Sequence, residues 1–588
     1  MSNSKIYVLL GCMALLCTTS CFEDEMIYSY QEGSEDGETI DNSEVEEIIA
    51  SYQLTTEEAM DENIASHAEE DDTSWDDTDF TLITLNSSSI AIDGDGATAS
   101  GSVATITNGG NYKIEGSLTD GQIIVDTEDE TTVKIYLDGI TVHNSTNAPF
   151  NVASAEKVIV FLGENTTSTF TDTTTYVFEE DDDEPNASFF SKSNMTITGA
   201  GTLNVTGNYN DGIASKDGLI ISENATINVT ALDDGIRGKD YLIIDDATLN
   251  VSSQGDGLKS DNDDDSTYGY IYISSGTLTI TSGNDGIQAE SDVLIADGTI
   301  NIISGGGSSV VLGEDDDSAK AIKSESYIIV DTGSIEISAA DDAFNTAGNL
   351  IINGGSFNIA TGDDALHADY TAAIFDGSIT VTDSYEGLEG SIVIVAGGSS
   401  YFTSSDDGIN AAGDDDSVDK AIYISGGYTV VDADGDGIDS NGSIDMIDGT
   451  VIVNGPTNSG NAALDYDDYF SINGGNFIAA GSSGMAQTAG SGSAQYAVLI
   501  SLNSSQVAGT LINISDSEGT SIVSFAPSKS YQSIAFSSED LTEGETYTIS
   551  LGGTDTGNET DGWYEDGTYS GGTTYATFTI ENTVTTIQ

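Results

Sequence analysis

A carboxylate returns at near-constant spacing through the middle of this chain. It stands in Asp211-Gly212-Ile213, Asp234-Gly235-Ile236, Asp256-Gly257-Leu258 and Asp285-Gly286-Ile287, then in Asp342-Ala343-Phe344, Asp364-Ala365-Leu366, Glu386-Gly387-Leu388, Asp407-Gly408-Ile409 and Asp436-Gly437-Ile438. Asp233, Asp341, Asp363 and Asp406 double the acid at four of these places. Where the period is unbroken the steps are 23, 22, 22, 22 and 21 residues. A repeat of this length without a helix-forming segment belongs to a stacked β-architecture. Stacking puts equivalent carboxylates about 4.8 Å apart. At that separation two of them repel by roughly 3–4 kcal/mol at an effective dielectric of about 20. A column of such pairs needs shared protons or cations. Hard divalent ions with many oxygen ligands suit it, and calcium tolerates irregular geometry. The expected Ca2+ ligands are Asp211, Asp233, Asp234, Asp256, Asp285, Asp341, Asp342, Asp363, Asp364, Asp406, Asp407 and Asp436. An isolated Asp-Gly would instead be a turn former. The stretch 432–437 also matches the start of an EF-hand loop, but Ser443 stands where the closing Glu is needed, so that match is a coincidence.

The elements that must hold this column are short strands. In one repeat they fall at 211–215, 218–222 and 225–230, and in the next at 235–237, 241–244 and 247–251. Ile, Val, Leu and Thr fill them, with Gly, Asn and Asp between. The expected fold is all-β: a right-handed parallel β-helix with three strands per turn and a repeat of about 22 residues. No single repeat buries its own apolar face, so the array must cooperate. Insertions at 260–269, 305–318 and 411–420 carry further acids and read as loops leaving one side. Lys320-Ala321-Ile322 takes the corner between Asp285 and Asp342 and replaces the acid with a base. After about residue 490 the pattern turns to meander-like strands, expected to cap the open end against edge-to-edge pairing.

Composition narrows the partners. Thirteen Lys and Arg against 100 Asp and Glu give a net charge of -87, which repels nucleic-acid phosphate and draws cations. The hydrophobic fraction of 38% suffices for a core. The start of the chain resembles a bacterial lipoprotein signal: Lys5, an apolar run over 6–17, and small residues before Cys21, with Thr18 where such signals carry an aliphatic residue. The apolar run is too short to span a bilayer. On this reading Cys12 and Cys17 leave with the signal, Cys21 carries lipid, and no disulfide is possible. The acidic run behind Cys21 resembles a surface-export signal. The expected organisation is a signal peptide at 1–20, an acidic flexible tether at 21–79, the β-helix at 80–489 and a C-terminal β cap at 490–588. The location is the outer surface of a bacterial outer membrane, with the membrane contacted only through the lipid.

Basic residues are scarce, so their placement is informative. Lys192, Lys216 and Lys239 take equivalent places in three successive repeats, and Arg237, Lys259 and Lys323 take another. Lys216, Arg237, Lys239 and Lys259 are candidates to hold a uronate carboxylate. They would equally serve to neutralise neighbouring acids.

Residues 191–205, Asp211 to Asp217, Asp234 to Asp240 and Asp256 to Asp261 together resemble the calcium-binding β-helix carbohydrate-binding family of cellulolytic clostridia, whose fold is polysaccharide-lyase-like. The resemblance runs from about residue 80 to the end. It implies calcium, the right-handed parallel β-helix and binding of plant polysaccharides such as cellulose or pectic acid. The leading expectation is thus a calcium-dependent polysaccharide-binding surface protein with no catalytic residues. One alternative is a pectate-type lyase using Lys216, Lys239, Arg237 or Lys259 as base. Hydrolysis of the polygalacturonase type lacks its Gly-His-Gly and Arg-Ile-Lys segments, and His143 and His367 read as structural. The other alternative is a rigid structural adhesin. Tyr268, Tyr270 and Tyr272 are candidates for sugar stacking, with core or surface packing as the plainer explanation.

Overall fold

The computed structural model describes residues 41–178, 183–313, 317–413, 415 and 417–588. The expected signal peptide and Cys21 lie outside the described residues, as do Glu314, Asp315, Asp316, Asp414 and Asp416 of the insertions. The chain is all-β, with 51% of residues in strands and 3% in helices.

Three parallel ladders run side by side, and each repeat contributes to all three. The first includes 211–215, 236–238, 258–260, 287–289, 322–324, 344–346, 409–411 and 438–440. The second includes 195–198, 219–222, 292–295, 327–330, 349–352, 421–424 and 443–446. The third includes 202–207, 226–231, 299–304, 334–339, 356–361, 428–433 and 450–454. Some strands turn a corner without a break. Tyr241–Ser252 and Tyr270–Ser282 join the second ladder to the third, and Leu366–Ile374 and Leu388–Val395 join the first to the second.

Exact register stacks like on like. Ile213, Ile236, Leu258, Ile287, Ile322, Phe344, Leu366, Leu388, Ile409 and Ile438 form one buried column inside the first ladder. A one-residue slip would turn every one of them outward, so register is strongly specified. Burying a Leu or Ile side chain contributes about 1.5–3 kcal/mol.

The insertions do not share a side. Those at 260–269 and 411–420 leave the corner between first and second ladders, whereas 305–318 leaves the corner between third and first. Their position follows the strand end they interrupt, not a common face.

Residues 41–79, expected as part of a flexible tether, are instead a strap laid along the outer face of the second ladder. Helix α1 (Asn42–Ser51) opens with a capping box from Asp41 and Glu44, and helix α2 (Thr56–Met60) with one from Thr55 and Glu58. Val45 and Ile49 pack on Ala373 and Ile394, and Ala59 packs on Leu294, Ile329 and Ile351. Thr56 donates its hydroxyl to Asp331 at 2.6 Å, and Asn63 donates to Asp292 at 2.9 Å. The His67 backbone N–H donates to the Tyr241 hydroxyl at 2.7 Å, and Asp72 pairs with buried Lys157 at 2.6 Å. The Trp75 ring lies 5.2 Å from that of Tyr136 and 5.7 Å from that of Phe161. The cause is in the ladder. Stretches such as 219–221, 350–352 and 393–395 are apolar on both faces, and a strand apolar on both faces needs a cover on each.

At the N-terminal end, antiparallel hairpins at 81–93 and 97–106 precede the parallel pairing. At the other end Tyr531–Ser537 pairs antiparallel with both Asn476–Gly481 and Ala497–Gln506. A separate six-stranded antiparallel sheet shares a core with Ile452 and Ile478.

Val45→Asp would bury an unpaired carboxylate against Ala373 and Ile394 and release α1. Limited proteolysis should then cut between residues 41 and 60 in the variant and spare the unaltered chain. Equal cutting in both would mean the strap is not held.

Candidate functional site

The recurring acids sit where the third ladder ends and the first begins. Two hydrogen bonds per repeat close this corner. The N–H of the Gly or Ala after the acid donates to the acid's carbonyl in the next repeat: Gly212 to Asp234, Gly235 to Asp256, Gly257 to Asp285, Ala343 to Asp364 and Gly408 to Asp436, all at 2.8–2.9 Å. At six corners the residue's own N–H has no strand partner. It donates to the carboxylate one repeat back: Asp256 to Asp234 at 2.9 Å, Asp285 to Asp256 at 3.0 Å, Lys320 to Asp285 at 2.8 Å, Asp364 to Asp342 at 3.0 Å, Glu386 to Asp364 at 3.0 Å and Asp436 to Asp407 at 2.6 Å. A buried N–H must find an acceptor, and the short Asp side chain reaches it. At Glu386 the longer side chain turns aside and accepts from Asn410 Nδ2 at 3.0 Å.

The small residue after each acid is a matter of space. A Cβ on Gly235 would lie 2.3 Å from Val251 Cγ1 and 2.6 Å from the Gly257 carbonyl oxygen, and Gly212, Gly257, Gly286 and Gly408 are equally crowded. None of these glycines has a positive φ, so crowding rather than backbone conformation calls for them.

Burial sets the charge state of the column. It pushes Asp211 up to about 8, helped by the charge on Asp234, and pushes Glu386 up to about 8 and Asp407 up to about 7. Asp234, Asp256 and Asp285 are raised by burial and pulled back by Lys259, Lys320 or Lys323. At Asp341 burial is outweighed by Lys320, and the carboxyl falls below its usual range. Asp233 and Asp363 are exposed, the outward members of their pairs.

Three residues beyond each corner acid, the first ladder points a side chain outward beside the acid. In register these are Arg237, Lys259, Gln288, Lys323, Asn345, His367, Glu389, Asn410 and Asp439. The column therefore divides. In the N-terminal half bases answer the acids: Lys259 lies 2.6 Å from Asp256 and 3.3 Å from Asp234, Lys320 lies 2.7 Å from Asp342, and Arg237 lies 2.6 Å from Asp261. Lys192 and Lys216 both pair with Glu184, at 2.9 and 2.8 Å, and Lys239 faces Asp264 at 3.6 Å. Each cation expected to hold a ligand carboxylate thus faces a carboxylate of the chain itself. In the C-terminal half the outward positions are Glu389, Asn410 and Asp439, and no Lys or Arg answers Glu386, Asp407 or Asp436 among the described residues.

Three groups of side chains converge with ligand atoms within 4.8 Å: Asp341, Asp342 and Asp363; Asp364, His367 and Glu389; and Asp407, Asp436 and Asp439. Asp439 and Glu389 were missing from the sequence-based set. The signal for them was the alternation of the strand: each stands between two buried residues, as Asp439 does between Ile438 and Ser440, and so faces outward. Asn410 lies in register between Glu389 and Asp439. Its Nδ2 is bound to Glu386, while its buried Oδ1 has no protein partner among the described residues. The group Asp407, Asp436 and Asp439 is all oxygen and anionic, which fits a hard cation.

Two of the three tyrosines named for sugar stacking are occupied elsewhere. Tyr270 is buried and donates to the Ile64 carbonyl at 3.0 Å, and Tyr272 packs against the strap. Tyr385 is the exposed aromatic on the acid corner, 47% accessible and next to Asp406.

Parallel ladders with an acid-lined corner define a stacked β protein that carries its chemistry along one edge. Residues 100–365 match the family model described as carbohydrate-binding domain-containing protein. The match to this carbohydrate-binding domain family is thus carried by residues 100–365. It is 38% identical over 129 residues to a carbohydrate-binding domain-containing protein of Acetivibrio thermocellus, a stretch that is 22% of this chain and 45% of the relative. The chain thus spans less than half the length of that curated relative. It is also similar to a solved polysaccharide lyase-like protein from C. thermocellum, a gadolinium derivative, at 32% identity over 38% of this chain and 92% of the other, with a TM-score of 0.37.

Asp285→Ala removes the acceptor of the Lys320 N–H and the Ser318 hydroxyl and should lower stability by about 1–3 kcal/mol. Asp285→Asn keeps the Oδ1 acceptor and should cost clearly less in denaturant unfolding. Equal losses would mean that charge, not the axial hydrogen bond, is what the position supplies.

The raised carboxyls also set a pH dependence. Asp211, Glu386 and Asp407 bind protons in the folded state up to pH 7–8, against about 4 when unfolded. Stability from them is complete below the unfolded value and is lost as pH rises through the folded one. Below pH 6.5 His67, lowered to about 4 by burial, works the other way. In chelator the melting temperature should therefore fall from pH 6.5 to 8, and Asp211→Asn with Glu386→Gln should flatten the fall.

Proposed function

We propose that this protein is a calcium-binding, lipid-anchored polysaccharide-binding protein of the bacterial cell surface. The observation that carries the reading is the convergence of Asp407, Asp436 and Asp439, with no Lys or Arg paired to them among the described residues. On this reading the other expected acids, Asp211, Asp233, Asp234, Asp256, Asp285, Asp341, Asp342, Asp363, Asp364 and Asp406, line the approach or hold the corner, with Lys320 already paired to Asp341 and Asp342. Calcium there would leave coordination positions for sugar hydroxyls or a uronate carboxylate, with Tyr385 beside it as a stacking face. The match of residues 100–365 to the carbohydrate-binding domain family supports a polysaccharide as the partner. The architecture we assign is a right-handed parallel β-helix of three strands per turn over 80–489, with a C-terminal cap at 490–588. Its support is the pairing of each strand with its equivalent about 22 residues on, and the strong preference of parallel crossovers for the right hand. The signal at 1–20, the lipid on Cys21 and the outer-membrane location rest on the N-terminal sequence alone.

A lyase has less support. A base that removes a sugar proton must be free and near neutral. Lys259 and Arg237 are both raised, because neighbouring carboxylates outweigh their burial, and each is held in an ion pair.

The test is retention of the whole protein on immobilised polygalacturonate and cellulose, with calcium and then with chelator, while unsaturated product is followed. Retention should need calcium and give no product. Asp436→Asn and Tyr385→Ala should each weaken it about tenfold or more, a loss of about 1.4 kcal/mol. Retention unchanged by chelator would reject the calcium bridge, and product release would make the protein an enzyme.

A further inference from the structure

One converging group on the acid corner is unlike the others, because its centre is an imidazole. His367 Nδ1 lies 2.5 Å from Glu389 Oε2 and 3.5 Å from Asp364 Oδ2. Its other nitrogen, Nε2, lies 3.2 Å from Asp369 Oδ1. One ring nitrogen thus faces two carboxylate oxygens while a third carboxylate grips the opposite N–H. This is how metal-ligating histidines are oriented: the outer carboxylate fixes the ring and leaves the inner lone pair for the ion.

We propose that Asp364, His367 and Glu389 form a second metal centre, separate from any calcium site, that takes a first-row transition ion of the zinc class, with Asp369 as the positioning residue behind the imidazole.

The distances suit such an ion. Zinc binds imidazole nitrogen and carboxylate oxygen at 2.0–2.2 Å, which places tetrahedral ligand atoms about 3.4 Å apart. The Asp364 to His367 separation already has that value, and Glu389 needs to withdraw by less than about 1 Å. Calcium prefers oxygen throughout, so the nitrogen shifts selectivity toward zinc, cobalt or nickel. The frame is rigid. His367 and Glu389 are register partners on Leu366–Ile374 and Leu388–Val395, two strands that run unbroken through a corner. His367, Asp364 and Glu389 are only partly buried, so an ion reaches them from solvent.

The plainer alternative is a closed ion pair in which an imidazolium answers the acids. Its charge is too small for its surroundings. Asp364, Glu389 and Asp369 meet one ring, and Glu386 is close enough to feel both Glu389 and Asp364. A dication balances this set better than a proton. When it binds, the metal takes the Nδ1 lone pair, the Nδ1 proton passes to solvent, and Nε2–H stays on Asp369. No electron changes hands.

The test uses the whole protein, stripped with chelator and returned to excess calcium so that oxygen-only sites are filled. Cobalt(II) titration should give one equivalent of visible d–d absorption, bleached by zinc, with release of one proton per metal. Calcium gives no such absorption, so failure of this centre and failure of the calcium reading are told apart. His367→Gln should abolish the absorption. Asp369→Asn, at an exposed position that the fold does not need, should weaken cobalt binding about tenfold or more. Calcium binding by calorimetry should be unchanged in both. Absence of cobalt absorption in the unaltered protein, or full binding by both variants, would leave His367 as an ion-paired side chain and overturn the proposal.

Discussion

One backbone N–H per repeat governs this molecule. At the corner between the third and first ladders the chain turns so that the acid's amide points along the stack and meets no strand. A short carboxylate from the preceding repeat accepts it, as Asp256 does for Asp285 and Asp342 does for Asp364. Asparagine would also accept, but an aspartate makes the stronger, charge-assisted bond. The consequence is cumulative. Ladder register stacks the solution on itself, and each stacked carboxylate makes the next harder to ionise.

The two halves of the column meet that cost differently. From Asp234 to Asp342 the chain supplies its own cations, with Lys259 between two acids and Lys320 standing in the corner itself. From Glu386 to Asp439 it supplies none among the described residues, and there burial pushes Glu386, Asp407 and Asp439 all upward. His367 marks the change, with Lys and Arg on one side of it in the outward column and Glu389 and Asp439 on the other. The same corner is thus self-neutralised at one end and dependent on something from solution at the other.

Much of this was legible in the sequence, because a repeat states its own register. The spacing of the acids placed the column, and the strand runs 219–222 and 226–231 fell where 218–222 and 225–230 were expected. What pairs across repeats was harder to read. That Asp439 joins Asp407, or Glu389 joins His367, follows only when the outward residue of one repeat is set beside the corner of another. The strap was missed for a different reason. Its acidic composition reads as solvated chain, while its few apolar residues have distant partners: Val45, Ile49 and Ala59 pack on residues hundreds of positions away, and Trp75 on Tyr136 and Phe161. The signal lay in those partners: Leu219-Ile220-Ile221 and Val393-Ile394-Val395 are too apolar for a face left open to water.

The strap runs against the direction in which the ladders are built. Trp75 meets Tyr136 and Phe161, His67 meets Tyr241, Ala59 meets Leu294 and Ile329, and Val45 meets Ala373 and Ile394. A chain delivered from its N-terminus makes the strap first, and the repeats then arrive in the order that closes it from Trp75 backward to Val45. Each new repeat extends an existing contact by a short step, so the entropy of closing the longest loop is met in small increments. Closed in that order the strap would draw shut like a zip fastener, the helix carrying Val45 being the last of it to find cover.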